Sequence, residues 1–155
     1  MKGCGNIYRY ARVSADISQE VAAELLFTST RSLSDYETGR TIPPDEIVCS
    51  MVEVYQANWL AYEHLRKSSK VGQMFLPVID FSDLPKAVLR FQKEVGDIQL
   101  VSRDMVEIAC DGAVDQNEEE RWHQVGREVK EAIAAAFSII FSHNTQKEKS
   151  PKQYA

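Results

Sequence analysis

A chain of 155 residues, 44% of them hydrophobic, suits one ordinary domain or two very small ones and is too apolar for wholesale disorder. Its 18 Lys+Arg against 23 Asp+Glu leave a formal charge of −5, which excludes a uniformly basic surface. No apolar run approaches the roughly 18–20 residues that span a bilayer, and MKGCGNIYRY at the start lacks the apolar stretch of a signal peptide, so a soluble cytoplasmic protein without a membrane partner is expected.

Apolar residues recur three and four apart almost throughout, and alternation by two is never sustained, which predicts an all-α chain. The first helix is expected over residues 6–15, capped by Asn6, with Ile7 and Ala11 on one face and Tyr8 beside them. Ser18 caps the next helix, which Gln19 and Glu20 open and which runs to about residue 26. Its predicted apolar stripe is Val21, Ala22, Leu25 and Leu26, with small Ala23 allowing a close crossing. Ser29 caps a third helix over residues 30–38 that buries Leu33, Tyr36 and part of Glu37. Thr30, Arg31, Ser34, Asp35 and Thr38 then face outward, and Gly39 terminates the helix in a left-handed conformation.

Pro44 and Asp45 suit the first turn of a fourth helix ending near residue 55, with Ile47, Val48, Met51, Val52 and Val54 as its core face. A short fifth helix over residues 58–65 is led by Trp59, Leu60 and Tyr62, read as core. These helices make a first domain, residues 1–66. Periodicity lapses where Gly72 and Pro77 intervene, so residues 67–82 are expected to be a linker whose MFLPVIDF patch packs back on a domain. Residues 1–70 hold eight Lys/Arg and nine Asp/Glu, and residues 71–155 hold ten and fourteen. The acidity therefore lies mostly in the second half, and screening beyond about 8 Å confines its repulsion to that half.

Residues 83–142 are predicted to form an antiparallel helical hairpin with a dimerisation or regulatory role. Asp83 caps its first helix and Pro85 sits in the first turn. Leu84, Val88, Phe91, Val95, Ile98, Met105 and Ile108 or Ala109 form a heptad-like seam with a polar gap at Ser102 and Gly96 inside it. Residues 115–142 form the second helix, carrying Trp122, Val125, Val129, Ile133, Ala136, Phe137 and Ile140. A hairpin alone leaves apolar surface over, and self-association through Val129, Ile133, Phe137, Ile140 and Phe141 is the simplest cover. The connection EIACDGAVDQNE partly fits a calcium loop, through Glu107, Asp111, Asp115 and Glu118, but Ala109 occupies a ligand position. The plainer reading, a helix stop at Gly112 and a new cap at Asp115, is preferred, so no metal is expected. The polar tail, residues 143–155, is expected to be disordered.

The pattern S-x-x-x-[ILV]-S-x-[WY]-E-x-G-x-x-x-P is met by Ser29, Leu33, Ser34, Tyr36, Glu37, Gly39 and Pro43, and the preceding S-Q-E-x-x-A by Ser18, Gln19, Glu20 and Ala23. On these motifs residues 6–66 resemble the five-helix, lambda-repressor-like helix-turn-helix domain of the Xre family of transcriptional regulators. The resemblance implies that Gln19 grips a phosphate, that Thr30, Arg31 and Asp35 look into the major groove, and that Ser32 and Arg40 touch the DNA backbone. It also implies an Arg12–Glu37 ion pair fixing the first helix against the third. The chemistry of the residues agrees on Arg31, whose planar fork suits guanine O6/N7, while Asp35 suits the amino group of cytosine. The family commonly has glycine after the second helix where this chain has Phe27, at a cost of about 1 kcal/mol in a left-handed turn. Either the turn is reshaped or packing of Phe27 offsets that cost.

No catalytic or cofactor signature stands against this reading. Cys4, Cys49 and Cys110 form no C-x-x-C, His64, His123 and His143 have no ligand spacing, and no phosphate-cradling glycine loop occurs. The thiols are read as reduced and mostly buried. The expectation is a non-enzymatic, cofactor-free, sequence-specific regulator of double-stranded DNA, acting as a homodimer and a repressor on a pseudo-palindromic operator. The alternative is a protein-interaction module, antitoxin or antagonist, that turns the same scaffold on a regulatory protein partner.

Overall fold

The structure, a computed structural model, describes residues 6–81 and 84–142. The expected cap at Asp83, the thiol of Cys4 and the tail 143–155 lie outside the described residues. Within them the chain is all-helical, with eight α-helices and no strand. No described helix is long and apolar enough to cross a membrane. The chain divides into two compact units, with the boundary between Leu76 and Pro77.

The first unit holds α1 (Ile7–Ser14), α2 (Gln19–Leu25), α3 (Thr30–Glu37), α4 (Asp45–Tyr55), α5 (Trp59–Ser68) and α6 (Lys70–Phe75). Side-chain caps start the first three. Asn6 Oδ1 accepts from Tyr8 N, Ser18 Oγ from Val21 N and Ser29 Oγ from Ser32 N, each satisfying a backbone donor that the helix leaves free. Gly39, at φ 73°, ends α3, and Asn6 Nδ2 donates to Tyr36 O across the same corner. Leu33, Met51, Leu60 and Ala22 are sealed from solvent, with Ala11, Ala23, Leu26 and Val48 around them. Trp59 and Tyr62 belong to this core.

Four expectations change. Alanines, not branched residues, form the contact face of α2: Ala22, Ala23 and Leu26 are buried, whereas Val21 and Leu25 are 48% and 49% exposed. Small side chains let α2 come close, and the helix turns to present them. The segment expected as a linker is helical in part. Ser69 Oγ caps α6 through Gly72 N, and Gly72 rests on the last turns of α5, where a Cβ would collide with the Leu65 carbonyl. Its MFLPVIDF patch does not pack as a whole, since Met74, Phe75 and Val78 stand exposed and Ile79 is buried. Cys49 and Cys110 are free and exposed, not buried.

The second unit contains α7 (Leu84–Ala109) and α8 (Glu119–Ser142), packed along their lengths as a hairpin. Its seam is rotated from the expected one. Ala87, Glu94, Val101 and Ile108, seven residues apart, are the buried positions of α7, while Val88 and Val95 are each 37% exposed. Small residues explain the rotation: Ala132, Ala135, Ser138 and Ser142 line the buried face of α8 and admit close approach. α7 runs through Gly96 unbroken, and a Cβ there would meet open space. Of the residues expected to make a dimer face, Ile133 and Ile140 are 43% and 61% exposed, whereas Val129, Phe137 and Phe141 are partly covered within the unit. Phe137 stacks on Phe141, and Phe81 meets Phe141 edge-on.

The loop between α7 and α8 uses its carboxylates as caps. Asp115 Oδ1 accepts from the Asn117 and Glu118 amides, and Glu118 Oε2 accepts from Asp115 N, a reciprocal capping box. Asp111 Oδ1 accepts from Ala113 N, and Arg121 reaches both Glu107 and Glu118. Among the described residues, the three acids that converge lie elsewhere, Glu94 of α7 with Glu128 and Glu131 of α8.

Candidate nucleic-acid interface

The site is built on α2, a turn and α3. Leu26 N and Thr28 N close the C-terminal end of α2 onto Ala22 O and Ala23 O, with Phe27 between them at φ 51°. The turn therefore keeps the left-handed geometry, and Phe27 is 98% exposed. Neither expected remedy operates: the turn is not reshaped, and packing offsets none of the strain.

After the turn, Ser29 fixes the start of α3 with its own cap and a 2.9 Å hydroxyl contact to Ser32. Leu33 and Glu37 face inward. Thr30 and Arg31 are exposed at the start of the helix, and Ser34 and Asp35 are half-buried one turn later. Thr38 is exposed, and its hydroxyl donates to Ser34 O at 2.7 Å. Arg40 Nη1 lies 3.1 Å from Asp35 Oδ1, so Asp35 carries its own counter-charge in the absence of a partner. This exposed pair adds little stability.

A buried ionic lock holds α3 to α1 and α2. Arg12 Nε donates to Glu37 Oε1 at 2.6 Å and Nη2 to Oε2 at 2.9 Å, the bidentate fork that makes such pairs directional. Arg12 Nη1 donates to Ile17 O at 2.7 Å, in the connection before α2. Gln19 Nε2 adds a third donor to Glu37, at 3.0 Å from Oε2. Side-chain exposure is 11% for Arg12 and 3% for Glu37. The hydrogen bond to Glu37, against the opposing effect of burial, raises the Arg12 pKa above its ordinary value. Tyr55 lies close by with a buried hydroxyl that has no hydrogen-bond partner among the described residues, and burial first, then the charge of Glu37, pushes it up to about 12.

A second polar chain braces α1 from behind. The Tyr8 hydroxyl lies 2.8 Å from His64 Nδ1, and His64 Nε2 lies 3.0 Å from Asp45 Oδ1, so α1, α5 and the first turn of α4 are joined through one imidazole. Burial, with the Asp45 charge adding to it, raises Tyr8 to about 12. Sequence reading did not find this chain, since nothing local distinguishes a buried histidine that bridges two helices from one that merely fills space.

The cations of this unit divide in a way that bears on function. Arg12, Arg40, Arg66 and Lys67 are engaged by carboxylates. Among the described residues, Arg9, Arg31 and Lys70 have no carboxylate within ion-pair distance. Arg9, exposed on α1 three residues before Arg12, was missed by sequence reading; the only signal was its position on the same side of α1 as the lock.

With this geometry in place, comparison with known proteins is informative at one level. Residues 9–60 match a family model described as a helix-turn-helix domain, a span of about a third of the chain that takes in α2, the turn and α3 whole. No curated protein and no solved structure matches the chain.

Proposed function

We propose that the first unit binds double-stranded DNA by placing α3 in the major groove, as a regulator of the Xre, lambda-repressor-like kind. The observation that carries this is Arg31: an exposed arginine, free of any ion pair, at the start of a capped helix whose orientation is fixed by Arg12, Glu37 and Gln19. Its fork suits guanine O6/N7, with Thr30 and Ser34 beside it and the Asp35–Arg40 pair opening to a base and a phosphate. The helix-turn-helix match over residues 9–60 supports the reading. Gln19 and Ser32 contribute backbone contacts. A single unit with so few free cations binds weakly, and pairing through the second unit multiplies affinity by raising effective concentration. Exposed Ile133 and Ile140, seven residues apart on α8, support a homodimer reading half-sites about 34–36 Å apart, with repression by occupancy as the simplest outcome.

Selection of bound duplexes from a random pool, with wild type and Arg31→Ala side by side, tests the reading. A two-fold symmetric site is expected, with the mutant losing about 1–3 kcal/mol of discrimination at one base pair of each half-site. Enrichment of no duplex at low salt by a folded protein would sink it. Sedimentation of Ile133→Asp and Ile140→Asp tests the dimer, which both should dissociate.

The exposed apolar residues Val21, Leu25 and Phe27 favour a second reading, a protein-interaction module presenting α2 and the turn to a regulatory partner. Such a module would be indifferent to Arg31→Ala.

A further inference from the structure

Between α1, α2 and α3 lies a hollow of about 280 Å³ lined by Arg9, Arg12, Gln19, Ser34, Glu37 and Thr38. Its floor is the ionic lock, in which the Glu37 charge is matched by the Arg12 fork and covered by the Gln19 amide. That leaves the positive charge of Arg9 uncompensated at the wall, because among the described residues no carboxylate pairs with it. The rest of the wall offers neutral donors. Ser34, a half-buried residue, brings a hydroxyl, and the Gln19 amide holds a second N–H beyond the one given to Glu37. Thr38 is different: its hydroxyl is spent on Ser34 O and Asp35 O, so it borders the hollow without donating into it.

One unpaired guanidinium with two neutral donors beside it is a receptor for a singly charged, multi-oxygen anion. The position identifies its source. Ser34 stands three residues after Arg31 on α3, so the hollow opens within a helical turn, about 5 Å, of the proposed base-reading side chain.

We propose that this hollow seats the backbone phosphate already assigned to Gln19, and that an Arg9 ion pair and a hydrogen bond from Ser34 complete the seat. The proposal rests on the DNA reading above and deepens it, since it assigns a contact to α1, which carries no base-reading residue. Arg9 is a phosphate-binding residue that fixes the depth of α3 in the groove without reading sequence. The lock gains a second role as the neutral floor of the seat, because an unmatched Glu37 would repel the phosphate.

The test uses the full-length chain and the duplex that wild type selects. Arg9→Gln should weaken binding to all duplexes alike, keep the selected sequence, and make the plot of log affinity against log salt shallower by about 0.9. Ser34→Ala should weaken binding with the salt slope unchanged, because it removes a neutral donor. A neutral methylphosphonate moved along the duplex should reveal one phosphate whose neutralisation harms wild type and does no further harm to Arg9→Gln. An unchanged salt slope in Arg9→Gln, or additive losses at every phosphate, would overturn the seat while wild-type selection left the DNA reading standing. Failure of wild type to select any duplex would overturn both. Inorganic phosphate, up to tens of millimolar, should displace DNA no better than chloride at equal ionic strength. Stronger displacement, lost in Arg9→Gln, would make the hollow a site for free phosphate and overturn the assignment to DNA.

Discussion

The two units bury charge in opposite ways. In the first, each buried ionisable side chain has close partners from its surroundings: Glu37 has Arg12 and Gln19, Glu63 has Arg66 and Lys67, and His64 lies between Tyr8 and Asp45. In the second, Glu94 occupies a seam position between two helices, 3% exposed, with Lys93 at 3.4 Å and Arg90 at 3.9 Å, both anchored on its own helix, and with Glu128 and Glu131 converging from the other. Partnered burial fixes geometry. Poorly partnered burial costs a seam stability.

Fluorescence separates the units cleanly, because Trp59 lies in the first and Trp122 in the second, and these are the only two tryptophans. Trp122→Phe leaves a reporter of the first unit, and Trp59→Phe a reporter of the second. The largest expected effect is Arg12→Met, which strands Glu37 and should cost the first unit about 3–5 kcal/mol in urea unfolding, with the Trp122 transition in place. Glu94→Leu should act in the opposite direction on the other unit, stabilising the Trp122 transition by about 1–4 kcal/mol. A destabilised Glu94→Leu hairpin would show that the seam needs its glutamate and would remove the contrast.

Alkaline titration sharpens the comparison. Burial raises Tyr8 and Tyr55 to about 12 and also raises Tyr62, while the hairpin residues 84–142 contain no tyrosine. A raised tyrosine pKa means that the folded state holds its proton more tightly. The stabilisation is complete below the unfolded value of about 10 and is lost as pH rises toward 12. The Trp59 transition should therefore fall across that window, and the Trp122 transition should move little. Phe27→Gly is the smallest change. Relief of about 1 kcal/mol of left-handed strain, less the extra freedom that glycine gives the unfolded chain, should stabilise the first unit by no more than about 0.5 kcal/mol.

What could be read in the sequence was local. Asn6, Ser18 and Ser29 cap where their chemistry dictates, and Gly39 ends α3, because a cap is decided within four residues. The choice between adjacent helix faces was not legible. Val21 and Leu25 outweigh Ala22 and Ala23 in any hydrophobic pattern, yet the alanines make the contact, because closeness between backbones is a property of the pair of helices. The same confusion displaced the hairpin seam, where Val88 and Val95 outranked Ala87 and Glu94. In the candidate site, Arg31 stood out by its place on α3, whereas the hydrogen bond of Gln19 to Glu37 joins residues eighteen apart and is set by tertiary packing.

Asn6 has a consequence for how the first unit tolerates change. Its oxygen serves the first turn of α1 and its nitrogen the last turn of α3, so one planar amide closes two helix ends of opposite polarity at a single corner. A carboxylate of the same shape could serve only the first, and would set a negative charge against the Tyr36 carbonyl at the negative pole of α3. The start of α1 and the end of α3 are thus fastened by one rivet, and a substitution at Asn6 loosens both at once.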